Sequence, residues 1–250
     1  MSSITDRIPP VTLNIIIINV IVWLAMVILP SRLGVNIVDI GAMHYVTSPD
    51  FGVWQWLTYM FMHDTQSFTH LFFNMFGLFM FGSTLERVFG SQRFLFFYIT
   101  VGIGAALVQE GVYAIWIQHL ASSAGFDAQA LAGIAKGLVP VGAGREQYMA
   151  GAEIYALINA PTIGASGAIY GILLAFGMIF PNMPLYFFFI PIPIKAKWMV
   201  IAYGVLELTL GVTGVQSGVA HFAHLGGMIV ALLLIVYWRK KGVINREPLY

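Results

Sequence analysis

The sequence predicts an all-α integral membrane protein built as a bundle of six transmembrane helices. Two observations predict it: a composition suited to lipid, and six apolar stretches of near-spanning length. Of 250 residues, 59% are hydrophobic and only 9% are charged, and the mean hydropathy is +0.83. A soluble domain carries roughly 25% charged residues, so water is not the main solvent. A membrane bundle of this size forms a single domain over 1–250. A net charge of +1, with no basic stripe outside the extreme C-terminus, excludes a nucleic-acid partner. With no cysteine, there is no disulfide framework, thiol nucleophile or thiolate metal site.

A transmembrane helix needs about 20 mainly apolar residues. Such stretches run over about 11–29, 68–85, 94–117, 162–180, 198–213 and 219–238, the fifth being the shortest. The first follows a short polar segment and has no small-residue cleavage site after it, so it reads as a retained span. Trp198 and Trp238 sit at span ends, where interfacial anchors belong. The loop 30–67 contains VWQWLTYMFM at 53–62, too short to cross and suited to the interface plane. The loop 118–161 is rich in Gly and Ala, with two weakly helical stretches.

Six spans put both termini on one side. Arg7, Arg87, Arg93, Lys195, Lys197, Arg239, Lys240, Lys241 and Arg246 give that side nine basic residues. Arg32, Lys136 and Arg145 give the other side three. The positive-inside rule then places both termini in the cytoplasm and both long loops outside.

Ionisable and polar groups inside a bilayer cost several kcal/mol unless paired, so they are functional candidates. Four of the six histidines, His63, His70, His221 and His224, fall in or beside membrane segments. At a rise of about 1.5 Å per residue, His70 lies about 3 Å and Asn74 about 9 Å below the outer end of their span. On the same measure Ser166 lies about 6 Å deep and His224 about 8 Å deep. Three helices thus bring polar groups to one shallow layer.

A serine hydroxyl becomes a nucleophile when a base within hydrogen-bond reach takes its proton. Ser166 is the candidate nucleophile and His224 the candidate base. Gly164 and Gly167 flank Ser166 and allow a tight backbone at a helix start, whose unpaired N–H groups suit a developing oxyanion. His70 and Asn74, one turn apart, offer further donors. Gly167 with Gly171, and Gly227 with Ala231, are small-xxx-small pairs that let helices approach closely. Tyr170, four residues after Ser166, shares its helix face and could pack against the imidazole.

Other readings stand beside this one. Serine also serves as packing glue in membrane helices. His221 and His224, three apart, suit a metal site, but there is no HExxH motif, and no carboxylate in spans two, four or six reaches the layer. Glu207, midway along the fifth span, reads as a protonated or hydrogen-bonded structural carboxyl. Glu110 is the one acid placed to orient His224. The residues alone leave a hydrolase level with a transporter or channel.

The residues that carry this chemistry resemble the rhomboid family of intramembrane serine proteases. The serine motif reads GASGAIYG at 164–171, the histidine motif AHLGG at 223–227, and the second span HLFFNM at 70–75. LERVFGSQRFLFFY at 85–98 and the opening IPPVTLNIIIINV also resemble the family, here a bacterial branch. The resemblance covers most of the chain except the third loop. It implies a rhomboid-like six-helix bundle with a cavity open to the outer side of a bacterial inner membrane. It further implies a Ser166–His224 dyad with no third carboxylate, no cofactor and no metal. In that reading His70 and Asn74 stabilise the oxyanion, Tyr170 stacks on His224, and His221 is a flanking residue. The partners implied are the lipid bilayer and transmembrane protein substrates, cut after a small residue. One departure is Trp54-Gln55, where the family often carries Trp-Arg; it leaves open how the first loop is pinned.

Overall fold

The computed structural model describes residues 8–138, 144–187, 190–214 and 220–244. Arg7 and Arg246, two charges in the sidedness count, and Val219, the expected start of the last span, lie outside the described residues. Among the described residues, five helices are long and apolar enough to cross a membrane. The sixth apolar helix, Ser166–Ile179, is only 14 residues.

Helix α1 (Pro10–Leu33) starts on a proline, whose missing N–H costs nothing at a helix start. Its buried residues Thr12, Ile15, Asn19 and Met26 recur at steps of three, four and seven, giving one packed stripe. Ile17, Ile18, Ile21, Leu24 and Ile28 are exposed on the rest of its surface, as befits a helix facing lipid. At its start, Glu86 accepts the Val11 N–H (3.0 Å), the Thr12 N–H (2.7 Å), the Thr12 hydroxyl (2.7 Å) and the Ser91 hydroxyl (2.7 Å). A carboxylate there satisfies unpaired donors and faces the positive end of the helix dipole.

Helix α2 (Phe68–Phe89) contains one π-helical turn at Leu78–Gly82. It is followed at once by α3 (Ser91–Ala124), a helix of 34 residues that runs past the expected 117. Its far end packs on two short helices of the third loop, α4 (Ala128–Ala135) and α5 (Arg145–Asn159), around Ile117, Ala121, Ile134, Ile154 and Ile158. Asp127 caps α4 by accepting the Ala130 N–H at 2.7 Å.

Helix α6 (Ser166–Ile179) begins four residues later than the expected span because Pro161 and Gly164 interrupt it. Gly164 has φ +132°, which helical backbone does not allow and L side chains rarely adopt. The preceding chain is extended instead. Thr162 and Met43 exchange backbone hydrogen bonds of 2.8 and 2.9 Å, tying the entry of α6 to the first loop. A hairpin of β1 (Pro184–Phe187) and β2 (Ile190–Lys195) follows, pairing Pro184 with Lys195 and Leu185 with Ile194. Among the described residues this hairpin is an addition to an otherwise helical architecture. Helices α7 (Ala196–Thr213) and α8 (His221–Lys240) complete the bundle.

Helix α6 is the central element, with nine of its residues buried. A Cβ added to Gly171 would stand 2.3 Å from Val101 on α3 and 2.8 Å from the Gly227 carbonyl on α8. A Cβ on Gly227 would stand 1.9 Å from the Gly167 carbonyl oxygen. Backbone meets backbone there.

The first loop is not simply an interfacial strip. Trp54 and Leu57 are exposed, whereas Tyr59, Met60 and Met62 are buried, and the Tyr59 hydroxyl donates to the Gly102 carbonyl on α3 at 2.8 Å. Gln55 answers the question of pinning. Its amide oxygen accepts the His44 N–H at 3.1 Å, and its amide nitrogen donates to the carbonyls of Asp50 (2.8 Å) and Ile40 (3.4 Å). A neutral amide thus holds three loop segments together.

Substituting Gly227→Val should separate α6 from α8. Because the clash is with backbone, the expected loss of stability exceeds the roughly 1–3 kcal/mol typical of overpacking. Thermal unfolding in detergent checks it, with Gly204→Ala on α7, where a Cβ would come no closer than 3.4 Å to a flexible methionine, expected to unfold near the parent.

Candidate active site

Ser166 is the first residue of α6, and His224 lies in the first turn of α8. Ser166 Oγ is 2.7 Å from His224 Nε2. This contact follows from the glycine seam: only helices whose backbones touch bring a short hydroxyl against an imidazole. Tyr170, one turn below Ser166, stacks on the His224 ring with centroids 4.2 Å apart and planes 6° from parallel. The stack fixes the ring plane, and the serine contact sets the rotation.

His70 and Asn74 lie on α2. The Asp64 N–H donates to His70 Nδ1 at 3.2 Å, so the ring proton sits on Nε2, where it is a donor. A Cβ on Gly164 would stand 3.1 Å from His70 Nε2 and 3.4 Å from Ser166 Oγ. The space that this missing side chain leaves is therefore shared by the candidate donor and the candidate nucleophile. Asn74 turns away from it: its amide donates to the His70 carbonyl at 2.8 Å within the same helix. The structure thus brings Ser166, His224, His70, Gly164 and Tyr170 together, with Gly167 at the seam and Asn74 bonded within its own helix.

One acid comes to the site that the sequence reading had left out. Glu207 Oε2 on α7 lies 3.0 Å from His224 Nδ1 and 2.7 Å from His221 Nδ1. Glu207 Oε1 accepts a short hydrogen bond from the Tyr170 hydroxyl. The expectation of an imidazole with no carboxylate beside it is corrected. Glu110, the acid placed to orient His224, instead accepts the Val46 N–H of the first loop at 3.2 Å. The signal that could have found it is its distance from the helix end: Glu207 lies six residues or about 9 Å from Thr213, much as His224 lies from the expected start of its own span.

Glu207, His221 and His224 also group one donor atom each within 4.8 Å of one another, a spacing that suits a cation. His224 offers its two ring nitrogens to Ser166 and Glu207, however, so a cation there would compete for the same lone pairs.

The geometry is that of a half-buried hydroxyl–imidazole pair between two helix starts. Against this stand the relatives. Residues 50–241 match the Rhomboid family, described as a Rhomboid domain. The chain belongs to the rhomboid family. This rhomboid is 29% identical to Rhomboid protease AarA of Providencia stuartii over 90% of its own length and 72% of that protein. It is 26% identical to Rhomboid protein 1, mitochondrial, of Saccharomyces cerevisiae over 67% of the chain, spanning 37% of that relative. It is 30% identical to RHOMBOID-like protein 12, mitochondrial, of Arabidopsis thaliana over 68% of the chain and 43% of that relative. The long apolar helices and the family together make this rhomboid an integral membrane protein.

His63, just ahead of α2, is fully buried with its ring centroid 5.0 Å from that of His70. Burial first, and then the neighbouring His70, pull its pKa down to about 3. A histidine with a lowered folded pKa binds its proton in the unfolded chain first. Its contribution to stability is therefore complete above about 6.5 and is lost as pH falls from there toward 3. Thermal unfolding of the parent should fall more steeply between pH 7.5 and 4.5 than that of His63→Gln, when both are measured in the same detergent.

Proposed function

We propose that this rhomboid is an intramembrane serine endopeptidase in which Ser166 is the nucleophile and His224 the general base. The observation that carries the reading is the 2.7 Å contact between Ser166 Oγ and His224 Nε2, beside the space bounded by Gly164 and His70. AarA, named a rhomboid protease, supports the hydrolytic class.

In the proposed reaction, Ser166 Oγ bonds to a substrate carbonyl carbon while its proton passes to His224 Nε2. The tetrahedral oxyanion takes hydrogen bonds from N–H groups at the start of α6, from His70 Nε2 and, after a rotamer change, from Asn74. Collapse breaks the C–N bond, and His224 gives its proton to the departing amine. Water, deprotonated by the same imidazole, attacks the acyl-enzyme; the bond from the acyl carbon to Ser166 Oγ breaks, His224 returns the proton to Oγ, and the acid leaves. No cofactor or metal enters these steps.

The substrates are transmembrane segments of other proteins. A helix hides its carbonyls in hydrogen bonds, so the cut falls where helix-weakening residues free one, after a small residue. The six-span reading takes Ser166–Ile179 as a short central span of about 21 Å, sunk below the outer surface under the first loop. The charge count then puts both termini in the cytoplasm of a bacterial inner membrane, with the site facing outward. One domain covers 1–250.

A fluorophosphonate probe and a transmembrane peptide substrate test this in detergent. Ser166→Ala and His224→Ala are each expected to lower cleavage on the order of 10⁴-fold or more and to abolish labelling. Probe attachment that persists in Ser166→Ala would move the nucleophile elsewhere. Gly164→Ala should also lose cleavage, since its methyl would fill the space where the substrate carbonyl must sit.

A further inference from the structure

We infer that Glu207 is a positioning residue for His224, making the site a carboxylate–imidazole–hydroxyl relay rather than a bare pair. The inference rests on the serine–histidine reading above and goes beyond the unassisted dyad that the family resemblance implies.

Three helices converge on one carboxylate. Glu207 on α7 is buried, with its side chain 6% exposed. Its Oε1 holds the hydroxyl of Tyr170, the residue stacked on His224. Its Oε2 lies 2.7 Å from His221 Nδ1 and 3.0 Å from His224 Nδ1. On the opposite edge of the His224 ring, Nε2 faces Ser166 Oγ at 2.7 Å. Acid, imidazole and hydroxyl therefore stand in series.

The chemistry of that order is specific. An imidazole can accept the serine proton on Nε2 only if its own proton sits on Nδ1. A carboxylate oxygen at Nδ1 selects that tautomer, because the alternative would set a lone pair against a negative charge. The Nδ1–H is not aligned on Oε2 as a directed hydrogen bond, since that nitrogen has no bond partner within angular limits. The contact acts chiefly by charge. Its greatest effect falls on the imidazolium that forms when Ser166 attacks, when a full positive charge appears 3.0 Å from Oε2 in a buried, weakly screening setting. No proton need reach Glu207.

The bland alternative is that Glu207 only ties α7 to α6 and α8. Its other two contacts answer part of this: Tyr170 and His221 each hold the carboxylate, and Tyr170 holds the ring as well. The acid is thus fixed to the same body as the base that it faces. A tie alone would not need an oxygen on Nδ1.

The test uses the full chain in detergent, with cleavage of a fluorogenic transmembrane peptide and the rate of fluorophosphonate labelling as readouts. Glu207→Gln keeps size and loses charge. It is expected to lower kcat by about 10²–10⁴-fold, the scale of a lost orienting acid in serine hydrolases, with KM within about threefold and labelling slowed in step. Glu207→Asp is expected to recover part of kcat. Overturning results are Glu207→Gln at parent kcat, or a loss that tracks the folded fraction with no recovery in Glu207→Asp. Nitrogen NMR of ¹⁵N-histidine in the unsubstituted protein gives a readout that no folding defect can blur. A resting His224 protonated on Nδ1 supports the inference, and one protonated on Nε2 overturns it. Ser166→Ala that cleaves like the parent would instead sink the reading beneath, whatever Glu207→Gln does.

Discussion

The missing side chain of Gly227 is the constraint on which the site depends. With the Gly167 carbonyl 1.9 Å from where a Cβ would stand, α6 and α8 touch through their backbones. In lipid no hydrophobic gradient drives two helices together, so association relies on close packing of small residues. The seam thus does two things at once. It supplies contact energy in the one solvent where apolar bulk does not, and it brings Ser166 within 2.7 Å of His224. Move the helices apart by the width of a methyl and the hydroxyl loses the ring.

Around that seam the bundle accumulates constraints on a single imidazole. Tyr170 fixes its plane from α6, Ser166 meets one nitrogen, and Glu207 meets the other from α7. Buried polar groups cost free energy unless paired, and here each pairing also orients the next group. The same rule governs the first loop, where Gln55 serves backbone groups of Ile40, His44 and Asp50 and Thr162 binds Met43. That loop roofs the entry to α6. The short α6 and the folded-in loop are one device: the helix begins at Ser166 because chain pinned to the first loop at Met43 leads into it.

Much of this was readable from residues, and what was not has physical causes. Span positions followed from hydropathy, because lipid imposes a length and a polarity on every crossing segment. The glycine pairs signalled close approach, and equal depths put Ser166, His224, His70 and Asn74 in one layer. Depth says nothing about rotation, however, so Asn74 facing its own helix was invisible. Hydropathy also blurs backbone conformation: 162–164 lie at the start of an apolar stretch that looks helical, yet Gly164 at φ +132° and the bridge of Thr162 to Met43 keep them out of the helix. Glu207 was legible and misread. Acids were sought in spans two, four and six, and Glu207, midway along the fifth, read as a structural carboxyl away from the histidine that it touches.

Two of the buried acids, Glu86 and Glu207, separate structure from chemistry by how they are satisfied. Glu86 accepts four hydrogen bonds, from Val11, Thr12 twice and Ser91, every donor a backbone amide or a hydroxyl with no acid–base role. Such a carboxylate holds a helix end and has nothing left to give. Glu207 faces two imidazoles and a phenol, groups that exchange protons, and one of them touches a hydroxyl. Asn74 and Glu86 share α2 twelve residues apart, about 18 Å along its axis, with Leu78 and Leu85 fully buried between. Glu86 thus works at the far end of α2 from His70, tying α1 and α3 to α2, while Glu207 works beside the imidazole that touches Ser166.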